Sequence, residues 1–265
     1  MNDMERPEPY VGVSGIGHFE EQLAIGDMAL KLGMLTSEHF VMIGVQATGK
    51  SQVQEIENSR GRAWHPVGDE LKDAAVTDDS GITRGFVHCF FEDDELEVGL
   101  ERVMERSSGY LQGLQLNKLP WMDNDYRPIL HDLKHQQRDV AVVLQAHSDI
   151  LDWYRPHEVV RRLGTLPVDY VLFDASEGAG RLMNPGRLRR YVDELYQAQL
   201  PIGAVVAGGL EASNLDDYFG PLLAEFDDLS CDAEGRIRSG PEGNTRLDFD
   251  KVRNYLTAWK TIQDS

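Results

Sequence analysis

The chain has 265 residues and a mass of 29.8 kDa, the size of one large domain or of two small ones. Hydrophobic residues make up 41% of it, enough to bury a core, so the composition excludes a disordered chain. The formal net charge of −19, from 26 Lys and Arg against 45 Asp and Glu, disfavours nucleic acid and anionic membrane surfaces as partners.

The pattern of apolar residues and cysteines indicates a cytoplasmic protein. No apolar run approaches the roughly 18–20 residues that would span a bilayer, and residues 1–9 lack the basic and apolar segments of a secretory signal. Only two cysteines occur, Cys89 and Cys231, too few for a disulfide framework. We therefore expect a flexible segment over residues 1–9 and one folded domain over residues 10–265.

Eight short apolar runs are predicted to be β-strands. They are Tyr10–Ser14, Phe40–Val45, Gly85–Phe91, Gly113–Asn117, Val140–Gln145, Val168–Asp174, Ile202–Ala207 and Asp228–Cys231. Amphipathic stretches with helical spacing follow most of them, from Glu20–Leu32 to Phe249–Ile262. Eight strand–helix units predict an α/β fold, a single-domain (β/α)8 TIM barrel. An open doubly wound sheet has the same alternation, and the count of eight favours the barrel.

The second unit is the least regular part of the predicted barrel. Residues 46–82 are polar, include an acidic run and show no strong apolar stripe. We expect a short helix and a long excursion there. Whether residues 60–83 fold over the pocket as a lid stays open.

The ends of the predicted strands supply the candidate site residues, because the carboxyl ends of barrel strands and the loops after them face the substrate. This rule selects Ser14, residues 46–51, Asn117, Gln145, Asp174, Gly208, Gly209 and residues 230–235. Asp174 ends the run VDYVLFD beside apolar neighbours, where a carboxyl group is suited to donating a proton. The alternative is an aspartate that only caps the next loop.

Two glycine-rich loops follow the sixth and seventh strands. The first contains Gly180 and Arg181, and the second contains Gly208 and Gly209. Backbone N–H groups in such loops can hold a phosphate, although tight turns also use glycine.

A competing motif lies after the second strand. Residues Gly44–Ser51 match the pattern G-x-x-x-x-G-K-[ST], which binds nucleotide phosphates when it connects a strand to a helix. The following segment offers only Val53 and Ile56 as apolar anchors for such a helix. We keep a nucleotide hydrolase as a lesser hypothesis.

Metal and thiol chemistry are not expected. His131 and His135 form the one closely spaced histidine pair, in a polar helix that predicts surface side chains. Cys231 has no neighbouring base and is expected to be structural. We therefore predict no metal site and no cofactor.

Several segments together resemble the phosphoribosylanthranilate isomerase family of tryptophan biosynthesis. The segment YVGVSGI is similar to the family's first strand, VKICGI, and AVVAGGLEASNL to its LAGGLxPxNV motif. VLFDAS with GAGR, and DLSCDAEG, are similar to its sixth and eighth units. The resemblance covers most of the chain.

The resemblance implies an Amadori rearrangement of an aminoaldose phosphate to an aminoketose. Asp174 falls on the family's general acid, and Ser14 falls on the cysteine that removes the C2′ proton. A hydroxyl without an adjacent base is too weak an acid for that step. Lys50 falls near the arginine that binds a substrate carboxylate.

The same resemblance implies a phosphate site and changes within it. The phosphate would lie against the backbone around Gly180, Gly209 and Ser230. Asp232 replaces a family glycine there, and a carboxylate would repel a phosphate dianion. Asn117 replaces a histidine at the rim.

Two hypotheses about the function follow from these residues. The first is an aldose–ketose isomerase with a pocket framed by Ser14, Lys50, Asn117, Gly180, Arg181, Gly208, Gly209, Ser230, Asp232 and the acid Asp174. The second is a diverged barrel without this activity that binds or processes another small ligand. In both, the partner is a small molecule, phosphorylated or not, and a homo-oligomer is compatible with the sequence.

Overall fold

The computed structural model describes residues 5–34, 38–53, 66, 69–75, 81–107, 110–176, 180–240 and 245–265, with only the backbone of Lys50, Ala74 and Ala75. Eight parallel strands close into a barrel in chain order. They are β1 (Tyr10–Ile16), β2 (Phe40–Thr48), β3 (Thr83–Phe90), β4 (Gly113–Leu116), β5 (Ala141–Ala146), β6 (Tyr170–Phe173), β7 (Gly203–Val206) and β8 (Ser230–Ala233). The predicted α/β fold, a (β/α)8 TIM barrel in one domain, is confirmed.

Helices connect the strands and surround them. They are α1 (Phe19–Lys31), α2 (Glu70–Ala75), α3 (Leu96–Arg106), α4 (Arg127–Gln136), α5 (Ser148–Trp153), α6 (Pro156–Leu163), α7 (Pro185–Gln197), α8 (Ala212–Tyr218), α9 (Gly220–Leu223) and α10 (Phe249–Gln263). A two-stranded antiparallel sheet, β9 (Arg238–Ser239) and β10 (Arg246–Leu247), precedes α10. Within the described ranges, no helix is long and apolar enough to cross a membrane.

The first and last strands of the barrel pair with each other. Gly12 of β1 lies opposite Asp232 of β8, and Val11 lies opposite Cys231. Alternate residues of each strand face the helices and the barrel interior. This pairing therefore brings interior side chains from the two ends of the chain together.

Aromatic side chains fill the amino-terminal end of the barrel interior. The ring of Tyr10 lies 5.5 Å from that of Phe40, 5.7 Å from that of Phe86 and 5.4 Å from that of Tyr170. All four residues are at most 4% exposed. The four rings therefore fill the interior of the barrel at this end.

The described part of the first nine residues lies against the amino-terminal end of the barrel. Arg6 pairs with Asp228 at 3.1 Å, and its guanidinium lies 3.8 Å from the centre of the Tyr196 ring. Glu8 pairs with Arg84. That residues 1–9 are flexible stays a prediction.

Several predicted strand boundaries differ from the structure; β1, for example, ends at Ile16 rather than Ser14. The eighth strand begins at Ser230, two residues later than predicted, because Asp228 precedes the strand and pairs with Arg6. The second strand extends to Thr48. The short helix expected after β2 is α2. Most of the predicted long excursion lies outside the described residues, and so does most of the segment 60–83 that was considered as a lid.

Candidate active site

Polar side chains gather at the carboxyl end of the barrel interior. We call this region the mouth and define it by Ser14, Gln46, Asn117, Gln145, Asp174, Asp232 and Glu234. Ser14, Gln46, Asn117, Gln145 and Asp232 are less than 9% exposed, and Asp174 and Glu234 are more open to solvent. Six strands of the barrel, β1, β2, β4, β5, β6 and β8, position these side chains.

A buried carboxyl group forms the floor of the mouth. The Ser14 hydroxyl donates a hydrogen bond to Asp232 Oδ1 at 2.7 Å. Gly12 makes room for this carboxyl group, because a Cβ atom at Gly12 would lie 2.6 Å from Asp232 Oδ1. Ser14 therefore has an adjacent base that the sequence did not reveal.

The environment of Asp232 favours its protonated form. Burial raises the pKa of Asp232 to about 7, and the negative charges of Glu234 and Asp174 act in the same direction. The hydrogen bond from Ser14 opposes this rise. A carboxyl group with a pKa near 7 can both give and accept a proton at neutral pH.

Asp174 follows β6 directly and lies at the mouth, as the sequence indicated. Gln145 Nε2 donates to its Oδ2 at 3.2 Å, and the backbone N–H of Ser176 donates to its Oδ1 at 2.7 Å. The carboxyl group is half-buried. Gly208 allows this position, since a Cβ atom there would lie 2.7 Å from Asp174 Oδ1. Both oxygen atoms of Asp174 are therefore held by donors.

The remaining carboxyl group of the mouth belongs to Glu234, which follows β8. Gln46 Nε2 donates to Glu234 Oε1 at 2.9 Å across the interior. The negative charge of Glu234 contributes to the raised pKa of Asp232. The described side chains of the mouth therefore include three carboxyl groups.

A neutral histidine lies beside Ser14, below the mouth. Burial lowers the pKa of His88 to about 3, so its imidazole is uncharged. Gln115 Nε2 lies 3.4 Å from His88 Nδ1 and donates to Asn117 Oδ1 at 2.9 Å. Among the described residues, His88 Nε2 and Gln115 Oε1 have no hydrogen-bond partner.

His88 and Gln115 are site residues that the pattern of strand ends does not predict. A usable signal was present for His88, because it alternates with Phe86 along β3 and so faces the interior with that ring. Gln115 lies in the same way between the outward Leu114 and Leu116 of β4.

The predicted phosphate loops pack against each other. A Cβ atom on Gly209 would lie 2.5 Å from the carbonyl oxygen of Gly180. That oxygen accepts a hydrogen bond from Arg236 Nε at 3.1 Å. The side chain of Arg181 is exposed nearby, where its backbone carbonyl lies close to Gly208. A carbonyl group, rather than an N–H group, thus faces Gly209.

The structure does not bring Ser230 to the mouth. Ser230 is the first residue of β8, and its Oγ accepts a hydrogen bond from the backbone N–H of Tyr10 at 2.9 Å. Asp232, expected in the loop after the eighth strand, lies within β8 and faces the interior. The boundary shift of β8 explains both placements.

The nucleotide-binding interpretation of Gly44–Ser51 is wrong. Residues 44–48 continue strand β2 and pair with β3, so they cannot curl around a phosphate. A short π-helical turn, Gly49–Val53, follows the strand. The side chain of Lys50 lies outside the described part of the structure.

The absence of a metal site and of a cofactor stays a prediction. In the described ranges, no group of His, Cys, Asp and Glu side chains is arranged to hold a metal ion. His131 and His135 are exposed on α4. Cys231 faces Tyr255 at 3.2 Å, and burial raises the pKa of its thiol to about 12, which suits a structural role.

Comparison with known proteins identifies similar folds and no family. No model of a known protein family matches the chain, and no curated protein matches it. Two crystal structures of tryptophan synthase alpha chains from Legionella pneumophila are similar, with TM-scores of 0.54 and 0.55 and 11% identity. Each covers 97% of this chain and 92% or 93% of the other. A protein from Aquifex aeolicus VF5 is 12% identical over 99% of both chains, with a TM-score of 0.54.

These comparisons correct the resemblance drawn from the sequence. The similar structures include tryptophan synthase alpha chains, TIM barrels of a different enzyme family, and the assignment to the phosphoribosylanthranilate isomerase family is wrong. The segments that suggested it are strand ends and glycine turns, which the geometry of a parallel barrel requires in many families. At 11–12% identity, the likeness shows that the chain shares the TIM-barrel fold of these proteins.

Proposed function

We propose that the protein is an acid–base enzyme that moves a proton on a small hydroxylated substrate bound at the mouth. Asp232 and Asp174 are the two reacting carboxyl groups. The observation that carries this proposal is the buried Asp232, hydrogen-bonded to Ser14 at 2.7 Å and close enough to Asp174 for their charges to interact. Pairs of carboxyl groups in unlike environments are typical of acid–base sites.

The environments of the two groups suggest their roles. Asp232 is buried, with a pKa of about 7, and is suited to donating its proton to a substrate oxygen or nitrogen. Asp174 accepts two hydrogen bonds, an arrangement suited to a carboxylate that accepts a proton. This assignment reverses the role that the family resemblance gave to Asp174.

Aldose–ketose isomerisation is the reaction of this class that we propose. A proton leaves C2 of the open-chain sugar for the Asp174 carboxylate, while Asp232 protonates the C1 oxygen or nitrogen, giving an enediol or enaminol. Return of a proton to C1 and loss of the C2 hydroxyl proton yield the ketose. Atoms and electrons balance without an external oxidant or cofactor.

The charge and packing of the mouth favour a substrate without a phosphate group. Glu234 and Asp174 would repel a phosphate dianion, as would Asp232 in its ionised form. The Gly180 carbonyl, whose oxygen carries partial negative charge, packs against Gly209. We therefore propose an uncharged or amino sugar and treat a phosphorylated sugar as the competing outcome.

Hydrogen exchange in D2O tests the proposal without knowledge of the product. We expect the protein to introduce deuterium at C2 of D-ribose or D-glucose, detected by NMR and mass spectrometry. D-ribose 5-phosphate is the phosphorylated comparison. Asp174→Asn and Asp232→Asn should each lower the exchange rate by about 100-fold or more, the usual contribution of an acid or base. The exposed Asp94→Asn is the matched control, with the wild-type rate expected.

The pH dependence gives a second test of the roles. If Asp232 donates the proton, exchange requires its protonated form and falls as the pH rises through about 7. Exchange no faster than in buffer for all three sugars would contradict the enzyme proposal. Faster exchange with D-ribose 5-phosphate than with D-ribose would contradict the proposed substrate class alone.

A further inference from the structure

The amide group of Gln145 is fixed at both ends. Its Nε2 donates to Asp174 Oδ2 at 3.2 Å, and its Oε1 accepts from the backbone N–H of Lys118 at 3.1 Å. Its own backbone carbonyl accepts from Trp121 Nε1 at 2.8 Å. Gln145 is 7% exposed, so little room remains for other orientations.

The contact with Lys118 determines which way the amide points. A backbone N–H can only donate, so the oxygen of the Gln145 amide faces Lys118 and its NH2 group faces Asp174. Lys118 adopts a left-handed backbone conformation, with φ of 59°, which is unfavourable for a residue with a side chain. The Lys118 side chain is exposed, so Lys118 contacts the site through its strained backbone rather than through its side chain.

We propose that Gln145 is a positioning residue that aims the Asp174 carboxylate at the substrate. The proposal rests on the function proposed above for the mouth. Gln145 holds Oδ2 of Asp174, and the Ser176 N–H holds Oδ1, so rotation of the carboxylate is restricted. The lone pairs that remain can then meet the substrate proton in one fixed direction.

The absence of a side chain at Gly208 completes this arrangement. The carboxylate lies where a Cβ atom at Gly208 would be 2.7 Å away, so a side chain at position 208 would displace it. Gln145 comes from β5 and Asp174 from the end of β6, which pair directly in the barrel. The hydrogen bond therefore links two neighbouring strands at the point where the substrate would bind.

Replacement of the amide by an isosteric apolar group tests the catalytic consequence. We expect Gln145→Leu to lower kcat for C2 exchange by about 10- to 100-fold, the effect of losing one hydrogen bond to a charged group. KM should change little, because Gln145 contacts the carboxylate rather than the sugar. The matched control is Gln137→Leu, at an exposed residue after α4, for which the wild-type kcat is expected.

An exchange of donor and acceptor tests the contact without relying on activity. Gln145→Glu places a second carboxylate against Asp174 and should lower the urea midpoint of unfolding. Adding Asp174→Asn supplies an amide donor to the new carboxylate, so the double variant should regain most of the lost midpoint. Its exchange activity should stay low, since the reacting carboxylate has moved to the wrong strand.

The outcomes separate this inference from the proposed function. Additive effects on the unfolding midpoint in Gln145→Glu with Asp174→Asn would show that the two groups do not interact, which overturns the inference whatever the wild-type activity. Wild-type exchange that Gln145→Leu leaves unchanged would also overturn it and leave the enzyme proposal standing. Absence of exchange in the wild type would contradict the proposed function, whereas non-additive midpoints would still support the contact.

Discussion

Replacement of Asp232 by asparagine should change how the stability of the protein depends on pH. The amide keeps an oxygen that can accept the hydrogen bond from Ser14, so the packing around position 232 is conserved. What the variant loses is an ionisable group. In the folded protein the pKa of this group is about 7, raised by burial from its ordinary value of 3.8.

The sign of the effect follows from proton binding. Between pH 4 and pH 7 the unfolded chain has already lost the Asp232 proton, whereas the folded protein still holds it. Raising the pH through this window therefore favours unfolding. The rise in pKa from 3.8 to about 7, at 1.36 kcal/mol for each pH unit, corresponds to a loss of ~4 kcal/mol by pH 8.

A second buried group acts in the opposite direction over the same range. Burial lowers the pKa of His88 to about 3, so the unfolded chain binds a proton near pH 6 that the folded protein excludes. Its contribution to stability rises with pH and partly cancels that of Asp232 in the wild type. The difference between Asp232→Asn and the wild type isolates Asp232, because both proteins contain His88.

Urea unfolding of both proteins at intervals from pH 4 to pH 8 measures this difference. We expect the stability of Asp232→Asn relative to the wild type to increase by ~4 kcal/mol across the range, with most of the change between pH 4 and pH 7. Asp94→Asn, at an exposed position, should show no such trend. A difference that stays constant with pH would refute the account of Asp232 as a buried, protonated carboxyl group.

Two further predictions concern the glycine loop and the amino-terminal segment. Gly208→Ala, at φ of 93° and with its Cβ 2.7 Å from Asp174 Oδ1, should lower the free energy of unfolding by ~1–3 kcal/mol in urea titrations. Gly235→Ala meets no atom within 4 Å and serves as its control; equal losses would contradict the steric argument. Arg6→Ala, which removes a half-exposed ion pair and a ring contact, should cost ~1 kcal/mol in the same assay. An unchanged free energy of unfolding in Arg6→Ala would contradict a contribution from these contacts.

The strands could be predicted from the sequence because most of them are buried on both faces. Runs such as AVVL in β5 and YVLF in β6 leave no ambiguity about where the chain is extended. The predicted bounds of β8 are displaced by two residues, because the interior positions of this strand are polar. Ser230 and Asp232 interrupt the apolar run, because the side chain of Ser230 lies in the barrel interior and that of Asp232 lies at the mouth rather than in the hydrophobic core.

The chemistry of the site could be predicted only where it depends on a strand end. The position of Asp174 at the mouth could be predicted because this residue comes directly after the apolar run VLF of β6. The pairing of Ser14 with Asp232 could not be predicted, because 218 residues separate them and their contact depends on the register between β1 and β8. The sequence suggested a serine without a base, whereas the closed barrel provides one.

The pairing of β1 with β8 also has a consequence for synthesis on the ribosome. Only three residue pairs join these strands, from Val11 with Cys231 to Val13 with Ala233. The amino-terminal strand emerges more than 200 residues before its partner, and until then one of its edges has no neighbour. During translation the nascent chain thus carries an unsatisfied strand edge for most of its elongation, a period in which chaperone binding would protect it from association with other chains.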